Sequence, residues 1–203
     1  HGPNILIDTP EEIKEQLNRS LVREIAACFY SHWHPDHVAG LRVWESLNGD
    51  FWRWPRQPRR TDIYLPQQVA ADFRDKMGYW EHLTFLERVR YIRPIILTDG
   101  DVVTVGQTSV TPFRLAQDFV YAFLFEEQGK RLLVAPDELR GWRPSSDLRG
   151  VDLAVLPMGL LEYDPLTGER RIPAEHSVLR TEATFDQTLD VVRALEARHV
   201  VLT

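Results

Sequence analysis

Three histidines and one aspartate stand within the heptapeptide SHWHPDH, although the chain of 203 residues has only seven histidines. Side chains two positions apart in an extended chain point to the same side, so we expect His32 and His34 to face one cavity. Neutral imidazole suits zinc, iron or manganese, and a carboxylate can bind one ion or lie between two. Because Asp36 and His37 cannot easily reach an ion held by the first pair, the spacing predicts a second metal position. The metal-free alternative is a capped turn with surface histidines.

The flanking segments predict how the heptapeptide is positioned. The apolar run over residues 25–30 predicts a strand that delivers the histidines at its C-terminal end, and residues 38–47 have helical spacing. Further strands are expected at 4–8, 63–65, 102–105, 108–114, 119–125, 131–135, 153–156 and 200–202, and further helices after Thr9, over 66–77 and 79–91, and after Thr184. The two threonines each begin a capping-box pattern. Strand-helix units followed by an antiparallel meander predict an α/β fold with helices packed outside two sheets.

Composition narrows the class of protein. The chain is 43% apolar and 27% charged with a formal net charge of -6, which is typical of one globular domain over residues 1–203 and argues against a broad basic surface for nucleic acid. No apolar run approaches the roughly eighteen residues that a membrane span needs. The single cysteine, Cys28, cannot form an internal disulfide, so we expect a cytoplasmic protein.

The segment NGDFWRWPRQPRR, residues 48–60, predicts a loop or insertion because Gly49, Pro55 and Pro58 interrupt the periodic pattern. Its arginines, Arg53 and Arg56 among them, alternate with tryptophans. They could form a lid that grips a substrate phosphate and stacks a base. The alternative is an insertion whose tryptophans cover an edge of the core and whose arginines are solvated.

The sequence SHWHPDHVAG resembles the His-x-His-x-Asp-His signature of the metallo-β-lactamase fold superfamily, and NILIDT and LLVAPDE resemble other recurrent segments of that superfamily. The chain looks most like the branch that contains phosphoribosyl cyclic phosphodiesterase and, more distantly, tRNase Z. The resemblance implies an αβ/βα four-layer sandwich with a dinuclear site, here without the first strands and the extreme C-terminus. An amidohydrolase barrel, another source of His-x-His, needs about 250 residues and eight strand-helix repeats, which this chain lacks.

The resemblance also implies a ligand set. His32 and His34 would bind the first metal, Asp36 and His37 the second, and Asp137 would bridge them. Gln117 stands where the family supplies a third histidine to the first metal, and its carbonyl is a weaker ligand. The adjacent Asp118 could substitute for it. We expect the natural chain to continue with histidine after Thr203.

Three other histidines have separate interpretations. His176 precedes the last helix, where related phosphodiesterases place a histidine, so we predict that it contacts the substrate or protonates the leaving group. The alternative for it is a solvated loop side chain. His82 lies in a segment with helical pattern and is interpreted as structural or exposed, and His199 begins an edge strand.

The resemblance and the candidate ligands together predict a metal-dependent hydrolase with two divalent ions, zinc or manganese with iron as an alternative. The expected reaction is hydrolysis of a small cyclic or nucleotide-like phosphodiester by a metal-bound hydroxide, with Asp36 as an orienting and proton-accepting group. Two alternatives remain: a hydrolase of the same fold acting on a thioester, lactone or lactam, and a ligand-binding scaffold whose metal site has degenerated at Gln117. The expected partner is a small phosphorylated substrate rather than nucleic acid or a membrane, and a homodimer is a further prediction.

Overall fold

The computed structural model describes residues 2–54 and 56–203, and the chain forms two compact units, His1–Gln107 and Thr108–Thr203. Pro55, on which the loop prediction partly rests, lies outside the described residues. None of the helices in the described ranges has the length and apolar character that a bilayer-spanning helix requires.

The first unit is built on a parallel sheet of four strands in the order β1-β2-β3-β4. Its strands are β1 Ile5–Ile7, β2 Ala27–Phe29, β3 Thr61–Pro66 and β4 Ile92–Leu97, and its helices are α1 Ile13–Ser20, α2 Pro35–Val38, α3 Val43–Asn48, α4 Gln67–Asp75 and α5 Tyr79–Arg88. The first three strands, α4 and α5 are confirmed. Strand β4 is not among the predicted strands because Pro94 interrupts its pattern; it lies at the sheet edge, where a missing N–H donor is tolerated.

Strand β2 lies between β1 and β3, and all three of its residues are buried. The ring of Phe29 stacks on that of Tyr64 in β3, with 4.6 Å between centroids. Tyr30, the next residue, is also buried, and its hydroxyl lies 2.9 Å from Thr9 Oγ1 and accepts the Trp44 indole N–H at 3.1 Å. This packing fixes the chain at the point where β2 ends and the histidine heptapeptide begins.

Two helix predictions in the first unit are corrected by tertiary contacts. The capping box at Thr9 is wrong, because the Thr9 hydroxyl turns inward to Tyr30 and α1 begins only at Ile13, with no side-chain cap. The single helix expected over 38–47 is divided into α2 and α3. The division falls at Gly40, whose N–H donates to the Thr9 carbonyl at 2.8 Å.

The second sheet has six strands in the order β10-β9-β8-β7-β6-β5. They are β5 Val103–Val105, β6 Thr108–Arg114, β7 Tyr121–Glu127, β8 Lys130–Val134, β9 Leu153–Leu156 and β10 His199–Leu202. The antiparallel meander is confirmed for β6 to β8, whereas β8, β9 and β10 pair in parallel. The predicted α/β fold class with two sheets and helices is therefore confirmed.

Helices α6 Val178–Thr181 and α7 Phe185–Leu195 complete the second unit, with a short 3-10 turn at Ser146–Leu148. The capping box of α7 is confirmed: the hydroxyl of Thr184 accepts the N–H of Gln187, and the Gln187 side chain accepts the N–H of Thr184. Helix α6 is only one turn long and is absent from the sequence prediction. Buried residues of the sheet pack against α7 in a core that contains Val120, Ala122, Leu133, Ala154, Leu156, Val191 and Leu195.

Candidate metal centre

The three clustered histidines converge at the C-terminal end of β2. The ring centroid of His32 lies 4.6 Å from that of His34 and 4.2 Å from that of His37. His32 is fully buried, whereas the other two rings are partly exposed. The structure therefore brings together, within the first unit, the three imidazoles that the sequence placed in one heptapeptide.

Asp8, the residue that follows β1, contacts the histidine segment through its carboxylate. Its carboxylate accepts the Ser31 N–H at 2.7 Å and the Ser31 hydroxyl at 2.6 Å, and lies 2.8 Å from His37 Nδ1. The same hydroxyl lies 3.0 Å from His32 Nδ1. Asp8 is 3% exposed, so the network is shielded from water. One buried carboxylate thus contacts His37 directly and His32 through Ser31.

This network defines the tautomers of two rings. A carboxylate only accepts hydrogen bonds, so His37 must donate from Nδ1, and the Ser31 hydroxyl must use its single proton on Asp8. That hydroxyl can then only accept from His32 Nδ1. In the neutral rings of His32 and His37, Nε2 therefore carries the lone pair that a metal ion needs, and a carboxylate behind a histidine ligand is a common means of orienting it.

A close backbone approach holds the Asp8 turn against the histidine turn. Asp8 has a positive φ of 59°, a conformation that aspartate tolerates better than most residues. The next N–H, of Thr9, donates to the His37 carbonyl at 2.8 Å. A Cβ on Gly40 would lie 2.2 Å from the Pro10 carbonyl oxygen. Only glycine allows this contact, so Gly40 is part of the architecture of the site.

Asp36 projects away from the network that holds the rings. Its side chain is 77% exposed, and its Oδ2 lies 3.7 Å from His37 Nε2. The carboxylate of Asp36 is therefore open to solvent and close to the ring nitrogen that His37 presents.

In the second unit, Asp137 follows β8 and is partly buried. Its neighbour Glu138 is buried, and the Glu138 carboxyl accepts the backbone N–H of Arg140 and, at 3.0 Å, that of Ala183. Two effects raise the pKa of Glu138 to about 7: burial, which is the larger, and a hydrogen bond with Glu182. The turn that carries Asp137 is thus tied to the start of the α7 region.

Gln117 lies in the loop between β6 and β7, and its amide nitrogen donates to the Thr181 carbonyl at 3.1 Å. The amide oxygen is then the atom left to act as a ligand, so the predicted ligand role of Gln117 is compatible with this contact and stays a prediction. Asp118 beside it is exposed. Gln117 and Glu138 both contact backbone between residues 181 and 183, which fixes that segment relative to β6 to β8.

His176 lies in an exposed loop directly before α6. Its Nδ1 accepts the Val178 N–H at 3.1 Å, so the neutral ring carries its proton on Nε2. The side chain is therefore held as a hydrogen-bond donor, which is the form needed to contact a phosphate oxygen. Its predicted role in substrate binding or leaving-group protonation stays a prediction.

The arginine-tryptophan segment, residues 48–60, contacts the chain at the amino ends of the strands in the first sheet. The N–H of Arg59 donates to the Asn48 carbonyl at 3.0 Å, and the Arg59 guanidinium donates to the carbonyl of Arg23, just before β2. These contacts lie at the amino ends of β2 and β3, whereas the histidines follow the carboxyl end of β2. Within the first unit, the structure does not bring Arg53 or Arg56 to the histidines.

The interpretation of that segment as a cover for the core is wrong for its tryptophans, although Arg53 and Arg56 are exposed as it expects, and the phosphate-gripping role of the segment stays a prediction. Trp52 and Trp54 are 96% and 89% exposed, so they do not cover an edge of the core. The interpretations of His82 and His199 agree with the structure. His82 in α5 lies 3.1 Å from a Glu45 carboxylate oxygen, a structural contact, and His199 begins strand β10 and is exposed.

The residues missed by sequence reasoning are Asp8, Ser31 and Gly40. The signal for Asp8 was its place directly after an apolar strand, in the segment NILIDT that drew the family resemblance. No local pattern could identify Gly40, because its role depends on a carbonyl thirty positions earlier.

The donor set fits a divalent metal ion. His32, His34 and Asp137 are candidate ligands, and each offers one ligand atom. Imidazole nitrogen with carboxylate oxygen is a donor set that zinc, iron and manganese accept. The orientation of the His32 and His37 rings by Asp8 is the observation that favours metal binding over surface histidines.

Comparison with known proteins identifies the family and the fold of the chain. A model of the beta-lactamase superfamily domain matches residues 3–203, and a search of curated proteins finds no match. A diphosphatase from the PhnP family is 20% identical, with 98% of this chain and 68% of that chain covered at a TM-score of 0.66. The short form of human tRNase Z is 18% identical, with 97% and 80% covered and a TM-score of 0.65.

Zn²⁺-bound PqqB from Methylobacterium extorquens is 16% identical, with 78% of this chain and 57% of that chain covered at a TM-score of 0.58. At these identities the solved structures show a shared fold. The chain belongs to the beta-lactamase superfamily domain family and has the metallo-β-lactamase fold.

Proposed function

We propose that this protein is a metal-dependent phosphodiesterase that acts on a small cyclic or nucleotide-like phosphate. The observation that carries the proposal is the buried Asp8 network, which orients His32 and His37 so that Nε2 is the nitrogen that would bind a metal ion. The fold shared with a PhnP-family diphosphatase and with tRNase Z supports phosphate ester chemistry over other reactions of the fold.

His32, His34 and Asp137 would hold one divalent ion, with Asp36 and His37 contributing to a second. Such ions lower the pKa of a bound water and offset charge on a phosphoryl oxygen. Zinc and manganese are the expected metals, with iron as an alternative. Gln117 would supply a neutral oxygen where the family has histidine.

The chain's own groups supply the remaining steps. The exposed carboxylate of Asp36 orients the attacking water and accepts its proton at Oδ1 or Oδ2. His176 donates from Nε2 to a phosphate or leaving-group oxygen, because Val178 occupies its other nitrogen. A water that attacks phosphorus thereby loses its proton to one side chain while a second side chain faces the departing oxygen.

The test measures hydrolysis of bis(p-nitrophenyl) phosphate and bound metal in the same protein samples, loaded with zinc or manganese. His34→Ala should remove both turnover and most of the bound metal. His82→Ala is the matched control, since His82 is also a partly buried histidine but contacts Glu45, and it should keep both. Metal-loaded protein without turnover would contradict the phosphodiesterase, and absence of bound metal would contradict the metal centre.

A second candidate is a ligand-binding scaffold that has lost turnover, and the presence of Gln117 where the family supplies a histidine favours it. Gln117→His separates the two functions. In an enzyme that tolerates a weak ligand, the substitution should raise metal affinity while turnover is already present in the parent protein. In a degenerate site, turnover should be absent before the substitution. Thioester, lactone and lactam substrates, assayed in parallel, test the remaining alternative of a different scissile bond.

A further inference from the structure

A basic cavity lies at the amino ends of strands β2 and β3 in the first sheet. The proposed phosphodiester chemistry does not use this cavity. Its volume is about 480 Å³, within the range of small-molecule sites. Three arginines line it: Arg23 before β2, and Arg53 and Arg59 in the insertion that precedes β3. Trp52 is also among the lining residues. The cavity lies within the first unit at the amino ends of the strands, whereas the histidines follow the carboxyl end of β2.

The charge of this cavity is unusual for the molecule. The chain has a formal net charge of -6, yet three guanidinium groups converge here with Asp50 as the acidic residue of the lining. Across the part of the chain that the structure describes, none of Arg23, Arg53 and Arg59 forms a salt bridge. Arg23 and Arg59 each donate one N–H to a backbone carbonyl, and Arg53 interacts with Asp50, but three positive charges against one negative charge leave an excess for an anion. Guanidinium groups bind phosphate through paired N–H donors.

Asp50 acts inside the loop and gives it a defined shape. Its carboxylate accepts the backbone N–H groups of Trp52, Arg53 and Gln57, each at 3.1 Å. Partial desolvation would raise the pKa of Asp50, but these three donors outweigh it and lower the pKa. The carboxylate is thus directed at backbone N–H groups, while Trp52 and Arg53 are among the residues that line the cavity.

Trp52 presents an almost fully exposed indole, 96% accessible, beside this cluster of cations. An exposed tryptophan offers a face on which a planar base can stack. We propose that the cavity is a binding site for a nucleoside phosphate, with the phosphate on Arg23, Arg53 and Arg59 and the base on Trp52. The site is separate from the metal centre and is independent of the proposed hydrolysis.

The insertion supplies its own matched controls. Trp52 and Arg53 line the cavity, whereas Trp54 and Arg56 are exposed members of the same segment outside the lining. Binding of ADP to the full chain is measured by calorimetry with a chelator present, so that no metal-dependent binding or hydrolysis contributes. Thermal unfolding of each variant verifies that it is folded.

ADP should bind more tightly than inorganic phosphate or adenosine, and its affinity should fall with added salt. Trp52→Ala and Arg53→Ala should each weaken ADP binding about tenfold, the size expected for loss of a stacked base or of a charged phosphate contact. Trp54→Ala and Arg56→Ala should stay within about twofold of the parent protein.

Three results would overturn the proposal. Absence of ADP binding removes the site, and equal affinity for ADP and inorganic phosphate reduces it to an unspecific anion contact. Equal losses in all four variants, with a single-stranded oligonucleotide bound more tightly than ADP, would assign the exposed segment to a nucleic-acid strand instead. None of these measurements depends on turnover, so failure of the phosphodiesterase proposal would leave them unaffected.

Discussion

Replacement of Asp8 by asparagine tests the central physical claim about the histidine site. The substitution keeps the volume of the side chain but exchanges one acceptor oxygen for a donor NH₂ group. The present carboxylate accepts three hydrogen bonds, at 2.6, 2.7 and 2.8 Å, in a buried position. An amide can preserve the bond from the Ser31 N–H to Oδ1, but its NH₂ group then takes the place of Oδ2 and faces both the Ser31 hydroxyl and His37 Nδ1.

The expected loss of stability follows from the hydrogen bonds that the substitution removes. A hydrogen bond to a charged group contributes about 1.5–3 kcal/mol, so loss of one or two, with some relaxation, should lower the free energy of unfolding by ~3 kcal/mol. The tautomers should change as well. Without a carboxylate to accept from Nδ1, His37 moves its proton to Nε2, and His32 can follow if the Ser31 hydroxyl turns. Removing the group behind a histidine ligand costs about 10- to 100-fold in metal affinity, and the upper end applies because two rings are affected.

Three measurements on Asp8→Asn assess this reasoning: zinc affinity by competition with a chromophoric chelator, imidazole ¹⁵N shifts in metal-free protein, and unfolding by denaturant. Asp72→Asn is the control, because Asp72 is also a buried carboxylate, at 4% exposure, but contacts Gln68 and Lys76. The control should change stability and keep zinc affinity. A destabilised Asp8→Asn protein that binds zinc within about threefold of the parent would refute the tautomer argument.

Three further outcomes are expected. Gly40→Ala places a Cβ 2.2 Å from the Pro10 carbonyl and should destabilise the protein by about 1–3 kcal/mol in denaturant unfolding and weaken zinc binding; unchanged values for both would contradict the close approach. Burial and Glu182 raise the pKa of Glu138 from 4.5 to about 7, so the folded state binds more protons than the unfolded state in that window, and the unfolding free energy of metal-free protein should fall as pH rises through it. Glu138→Gln should flatten this pH dependence, and a slope equal to that of the parent would contradict the assignment. Thr184→Ala removes the cap of α7 and should cost about 1 kcal/mol, measured by the same unfolding assay, with no change in zinc affinity.

Much of the fold could be predicted because hydrophobic pattern and turn chemistry act locally. Strands β6 to β9 and helices α4, α5 and α7 follow from short windows of sequence, and the Thr184 capping box needs only residues three apart. The failures share one cause. The Thr9 hydroxyl had a competing partner in Tyr30, and Gly40 divided a helix to meet a distant backbone carbonyl. Contacts across long sequence separation overrode local preference in both cases.

By itself, the sequence determined the chemistry that the site can offer. The heptapeptide fixes three imidazoles and a carboxylate on one short loop, because an extended chain and a tight turn leave them few directions. It also determined the signature that carries the family resemblance.

Only the tertiary structure decided how those groups are oriented and what surrounds them. Parallel pairing of β1 with β2 aligns Ile7 with Phe29, which brings Asp8 to Ser31 and His37. The same sheet places the arginine-tryptophan insertion at the amino ends of its strands, away from the histidines at the carboxyl end of β2. Both results depend on strand register between residues more than twenty positions apart, and hydrophobic periodicity records which face of a strand is buried but not which distant residue lies beside it.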